Sequence, residues 1–182
     1  MKPANFLFGW CVGFGLWFGF RQIFEKNVLD NPERQRIFSF IRDHPGIHFR
    51  ELEREAGTNR GTLAYHLEML AQTHKILPVR NSGHTRYFEN DGKYTDLEQK
   101  ILSSMNDDRK STILHILFDS PATQAELGNS LRISNPSVAW HMKWLCSEGI
   151  VSVQKHGRQH HYCLNRESSA FLRNYFSANP GR

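Results

Sequence analysis

Residues 63–70 read LAYHLEML, and residues 138–145 read VAWHMKWL. Each stretch places an aromatic residue, a histidine and a long apolar residue in a row, with a leucine three residues further on, and the copies stand 75 positions apart. The likeness extends outward. Before the first core runs IFSFIRDHPGIHFRELEREAG, from Ile37; before the second runs ILHILFDSPATQAELGNSL, from Ile113. After them come KILPV and HTRYFEN in the first copy, GIVSV and QHHYCLN in the second. His44-Pro45 corresponds to Ser120-Pro121, Glu51-Leu52 to Glu126-Leu127, and Tyr87 to Tyr162. Self-similarity at a fixed period means two similar modules in one chain.

The order read from each copy is helix, turn, short helix, turn, helix, strand, basic loop, strand. Leu63, Leu67 and Leu70, like Val138, Met142 and Leu145, recur at helical spacing. Apolar residues then alternate, as Ile76 and Val79 or Val151 and Val153. Asn59, and Ser134 or Asn135, suit the start of the third helix, where a side-chain oxygen accepts from an otherwise unpartnered backbone N–H. Pro136 suits a first-turn position, because the N–H it lacks has no partner there.

This pattern, Glu-Leu followed by Asn-Arg-Gly-Thr-Leu-Ala-Tyr-His-Leu-Glu-Met-Leu and a strand, basic loop and strand, resembles the winged helix-turn-helix of MarR- and ArsR-like transcription regulators of archaea and bacteria. The resemblance covers residues 32–90 and 108–165. It implies a mainly α fold with small β-wings, two such domains in tandem, and double-stranded DNA as the partner. Residues 30–91 would form the first domain, 94–106 a linker helix, 107–165 the second domain and 166–177 a C-terminal helix.

Charge fits a polyanion partner. The 182-residue chain carries a formal net charge of +5. Between His74 and Arg86 stand Lys75, Arg80 and Arg86 with no acid; between Val153 and Cys163 stand Lys155, Arg158 and His156, His160 and His161, again with no acid. Acids gather at Glu51, Glu53 and Glu55 and from Glu89 to Glu98. A charged hairpin is often only a solvated surface, but its recurrence at equivalent places points to phosphate contact. With Leu63, Leu67 and Leu70 taken as the buried stripe, Asn59, Arg60, Thr62, Tyr65 and His66 face outward. Arg can pair with guanine, Asn with adenine, and Thr can touch a thymine methyl. The second module offers Asn135, Ser137, Trp140, His141 and Lys143 or Trp144, a set less suited to reading bases. His66 and His141 also admit a structural role, bonded to a backbone carbonyl near the wing.

The N-terminal region, residues 1–26, contains an uncharged stretch from Phe6 to Phe20, FLFGWCVGFGLWFGF. Fifteen helical residues reach about 22 Å, short of a hydrocarbon core of about 30 Å unless the helix extends to Phe24 and Arg21 snorkels. A membrane anchor is expected here, with burial against a partner and a cleaved signal as the alternatives. No small-residue cleavage site follows; Arg21-Gln22-Ile23 does. Arg21, Lys26, Arg34 and Arg36 follow the stretch and Lys2 alone precedes it, which would put the N-terminus outside and the body on the cytoplasmic face.

Thr95 and Glu98 form a capping-box signature ahead of Leu97, Ile101, Leu102 and Met105. That helix reads as a connector packed on both modules or as a dimerisation element. Phe171, Leu172, Tyr175 and Phe176 make an aromatic patch in the tail that suits either core or a homodimer interface. Three cysteines without paired spacing argue against a disulfide framework. His156, His160, His161 and Cys163 raise the question of a metal, but strand alternation splits them and no Cys-x-x-Cys accompanies them, so no metal site is assigned. No phosphate loop, nucleophile motif or carboxylate pair supports an enzyme, no cofactor is implied, and no small-molecule pocket is legible. The competing function is a winged-helix pair used for protein–protein assembly, favoured by the tryptophans of the second module.

Overall fold

The computed structural model describes residues 27–81, 83–157 and 159–179. The apolar stretch at residues 6–20 lies outside them. Among the described residues no helix is long and apolar enough to cross a membrane.

The first module opens with α1 (Pro32–Asp43), capped by the Asn31 side chain accepting from the Arg34 amide. Ile37 and Ile41, one turn apart, are fully buried. After His44, Pro45 and Gly46 comes the two-residue strand β1 (Ile47–His48), then α2 (Phe49–Ala56). His48 caps α2 and Glu51 reaches back to the His48 amide at 2.9 Å. Gly57 ends α2 in the left-handed conformation, φ 60°. Helix α3 (Arg60–Gln72) starts under the Asn59 side chain, which accepts from the Thr62 amide at 2.9 Å. The hairpin β2 (Ile76–Asn81) and β3 (His84–Glu89) completes a three-stranded antiparallel sheet in the order β1-β3-β2.

The linker helix α4 (Asp96–Met105) carries the expected Thr95–Glu98 capping box. The second module repeats the first as α5 (Asp108–Asp119), β4 (Ala122–Thr123), α6 (Gln124–Leu131), α7 (Asn135–Ser147), β5 (Val151–His156) and β6 (Gln159–Leu164), with sheet order β4-β6-β5. Ile47 pairs with Tyr87 and Ala122 with Tyr162; Ile76 pairs with Glu89 and Val151 with Leu164. Every one of these pairs keeps the 75-residue offset. The first helices are offset by 76, because Gly46 is an extra residue in the first module's turn. Its φ of +81° and the atoms that crowd it explain the glycine: a Cβ would sit 3.1 Å from Asn106 Nδ2 and from Phe88 Cζ.

Two cores result. One gathers Val28, Ile37, Ile41, Leu52, Leu63 and Leu67 with their neighbours. The other gathers Ile113, Leu114, Leu127, Val138, Met142 and Leu145, and it also takes Ile101 from α4 and Leu172 from α8 (Arg166–Ala178). The linker helix is thus joined to the second core, and Leu172 settles the inner face of the tail as core.

Candidate nucleic-acid interface

On α3 the exposed face is Arg60, Gly61, Ala64, Tyr65 and Glu68, at the i, i+1, i+4, i+5, i+8 positions of one helical face. Tyr65 is 50% exposed. Arg60 lies at the helix start, its guanidinium 5.4 Å from the Phe49 ring centre, so α2 props it near the N-terminal end. Asn59 is exposed but its Oδ1 is engaged as the helix cap, which leaves the amide NH2 to reach outward; Thr62 is half-buried. Ala64, Gly61 and Glu68 were missed by the sequence reading. Glu68 bonds Gln72 at 3.1 Å and puts a negative charge on this face.

On α7 the matching face is Asn135, Pro136, Trp140 and Lys143, with Trp140 59% exposed. The expected cap differs from the observed one. Ser134 occupies the cap position without a side-chain bond to the helix and instead pairs its hydroxyl with that of Ser137 at 2.9 Å. The Asn135 carbonyl accepts from Gln124 Nε2 at 2.9 Å, which ties α6 to the start of α7. Trp144 is half-buried, with the Lys110 ammonium 4.2 Å above its ring, so the second module exposes one large indole rather than two.

The wings differ from expectation at one cation. Arg80 and Lys155 are exposed on their hairpins, and Lys75 is half-buried at the base of the first. Arg158 lies outside the described residues. Arg86, expected as a free wing cation, turns inward: Nη1 donates to the Gly46 carbonyl at 3.3 Å and Nη2 to the Asn106 carbonyl at 3.4 Å, with Glu51 at 3.9 Å. Its side chain is only 11% exposed. Strand alternation explains the turn. Arg86 sits opposite His48 of β1, on the sheet face that meets the linker. Asn106 Nδ2 donates in turn to the Pro45 carbonyl at 3.2 Å, so Arg86 helps hold the first module to the linker. His84, exposed on the same hairpin, stands edge-on to His48 with ring centres 5.2 Å apart.

The two histidines of the repeated motif are a second correction. His66 is 4% exposed and His141 7%, so neither faces outward. His66 is three residues after Leu63 and four before Leu70, which places it on the apolar stripe. Its partners are side chains of α1 rather than a backbone carbonyl. Nδ1 accepts from Arg34 Nε at 3.3 Å, and Nε2 lies 3.4 Å from Glu33 Oε2. Arg34, itself buried, also donates to the Val28 carbonyl at 3.0 Å and lies 5.9 Å from the Tyr65 ring centre. A bond from Thr58 and then the His66 contact hold the Glu33 carboxyl below the usual carboxylate range.

At the equivalent place of the second module stands a buried lysine. Lys110 contacts Asp107 Oδ2 at 3.5 Å. It leaves His141 Nδ1 buried and without a partner among the described residues. Burial pushes the His141 ring below its ordinary value of 6.5, while Asp107 pulls against it and Lys110 and Arg109 add to the fall. Burial pulls the Asp107 carboxyl up, and the Lys110 amide and ammonium outweigh it, leaving that carboxyl low. In the first module the histidine therefore fastens the third helix to the first through Arg34 and Glu33; in the second the ring is buried beside Asp107 and Lys110 without such a bond.

Among the described residues no group of three His, Cys, Asp or Glu side chains comes together. Cys163 is buried and its Sγ lies 3.2 Å from the Ser152 hydroxyl; Cys146 is half-buried against the second core.

The architecture is that of a tandem winged helix-turn-helix chain. Two family models match it, one described as an N-terminal HTH domain over residues 31–102 and one as a winged helix-turn-helix DNA-binding domain over residues 106–152. An uncharacterised HTH-type transcriptional regulator of Methanocaldococcus jannaschii is 30% identical over 147 residues, covering 81% of this chain and 37% of that protein. The transcriptional activator HlyU of Vibrio cholerae is 29% identical over 65 residues, 36% of this chain and 60% of that protein. A solved structure of HlyU from the same organism has a TM-score of 0.39 and 26% identity, over 44% of this chain and 88% of that one. The chain spans between 37% and 60% of the lengths of these two curated relatives.

Proposed function

We propose that this chain binds double-stranded DNA and regulates transcription, with α3 and α7 entering successive major grooves and the two hairpins resting on phosphates. The observation that carries this is the repeated exposed face: Arg60 and Tyr65 on α3, Trp140 and Lys143 on α7, each beside a hairpin whose exposed cation (Arg80, Lys155) faces solvent. The relatives named as transcription regulators support it. Recognition falls mainly to the first module, where Arg60 and the Asn59 amide can bond base edges. The amide NH2 groups, the Arg60 fork and the wing cations play separate parts: the first two specify, the last position. Residues 6–20 add a tether to this reading, supported by their uncharged composition and by the basic residues that follow. Recovery of the full-length chain entirely in the soluble fraction, with those residues retained, would remove the tether.

Binding to a set of duplexes tests the function. Arg60→Ala should flatten the preference among sequences, and Arg80→Ala should weaken all duplexes alike and lower the salt slope by about one. Trp140 favours one other reading, in which α7 docks a protein instead of DNA. In that case Trp140→Ala leaves DNA affinity unchanged while Arg60→Ala reduces it.

A further inference from the structure

The two modules begin their second helices with different chemistry at the same place. In the second module Thr123 caps α6, its hydroxyl accepting from the Glu126 amide at 3.3 Å. In the first the cap of α2 is His48, whose Nδ1 accepts from the Arg50 amide at 3.1 Å. A neutral imidazole can accept there only with its proton on Nε2. Once Nδ1 is protonated, both ring nitrogens donate and neither accepts. The charged ring then also stands at the positive end of the helix dipole. Its neighbours add to the cost. From β3, the His84 ring stands edge-on with centres 5.2 Å apart, and Arg86 is paired with His48 across the strands. On α2 itself, Arg50 adds a positive charge and Glu51 opposes it, with Oε2 taking the His48 amide at 2.9 Å. Burial first, then Arg86 and His84, hold the His48 ring below its ordinary value of 6.5, against the pull of Glu51. Thr123 and Gln159, at the places of His48 and His84 in the second module, do not titrate near neutral pH.

We infer that His48 makes α2 an acid-released element: protonation of Nδ1 withdraws the cap and loosens the first turn of α2, while α6 holds under Thr123. The first residue of that turn is Phe49, against whose ring the Arg60 guanidinium rests at 5.4 Å. Arg60 therefore loses its prop as the turn opens. The sign is distinctive. Protonated histidines near DNA strengthen the attraction to phosphate, whereas opening α2 weakens what Arg60 can do at base edges. That consequence rests on the function proposed above; the release of α2 does not.

The test is chemical denaturation of the full-length chain without DNA, at steps from pH 8 to 5.5, for the parent, His48→Thr and His48→Ala. Threonine keeps a cap that cannot titrate, and alanine has none at any pH. Because the folded value of His48 is lowered, its contribution is fully present above 6.5 and is lost as pH falls. The parent should stand with His48→Thr at pH 8 and fall toward His48→Ala at pH 5.5. Its unfolding equilibrium constant should rise about fivefold relative to His48→Thr, the size of one lost helix cap. His141 titrates alike in all three chains and drops out of the comparison. Parent and His48→Thr stabilities that run parallel across the range overturn the inference. With duplex DNA, the sequence preference of the parent should weaken between pH 8 and 5.5, and that of His48→Thr should hold. A parent that loses stability yet keeps its preference overturns the link to Arg60, whereas no DNA binding at pH 8 overturns the proposed function alone.

Discussion

His66 shows how one residue changes meaning when its face is assigned correctly. The outward set drawn from Leu63, Leu67 and Leu70 included it, yet a residue at i+3 from Leu63 and i−4 from Leu70 belongs to the buried stripe. The signal was present in the spacing; the polar identity of histidine hid it. Its partner was not legible, because Arg34 is 32 positions away on another helix. Replacing His66 by leucine should leave the buried Arg34 Nε without its acceptor and cost about 1–3 kcal/mol in chemical denaturation. The same change should leave the sequence preference on DNA intact, since the ring faces inward. His141 gives a pH dependence. Its folded-state value lies below 6.5, so above 6.5 the ring is neutral folded and unfolded and stability is fully present. As pH falls through 6.5 toward the folded value, the unfolded chain takes the proton first and stability is lost. Thermal melts of the His141→Gln chain between pH 7.5 and 5 should therefore fall less steeply than those of the parent.

At the scale of elements, the starts of helices were more legible than their ends. Asn59 and the Thr95–Glu98 box act as their chemistry requires, and Thr123–Glu126 forms a further box in the second module that the repeat could have pointed out. The ends depend on left-handed residues, and the two modules solve this in opposite ways. After the second helix stands Gly57 in one and Arg132 (φ 54°) in the other; after the third stands His74 (φ 54°) in one and Gly149 in the other. Each module thus holds a side chain where its sister holds glycine. Arg132→Gly and His74→Gly should each raise stability by about 0.5–1 kcal/mol, because the left-handed conformation costs a residue with a Cβ about 1–2 kcal/mol and the glycine's extra chain entropy offsets part of the gain. Denaturant midpoints of the two variants measure this directly. No rise in either midpoint would contradict it.

The whole molecule was legible where the repeat reached and opaque where the copies meet. The short first strand of each sheet, paired through Ile47–Tyr87 and Ala122–Tyr162, was not expected, whereas the two winged helices, their hairpins and the linker helix follow from residues close in sequence. The junction does not. Arg86, read as a wing cation, bonds Gly46 and Asn106, which no local pattern connects to it. Arg86→Ala should accordingly loosen the junction and lower the melting temperature more than it changes the salt dependence of DNA binding. With both modules on one duplex, the second contact becomes intramolecular, so the full chain should bind a two-site duplex more tightly than a one-site duplex. The most direct measurement is the affinity of the full-length chain for duplex DNA across 50–200 mM salt, repeated with Arg80→Ala and Lys155→Ala. A log–log line of negative slope is expected, shallower by about one in each variant. No binding at 50 mM, or a slope that neither variant alters, would contradict it.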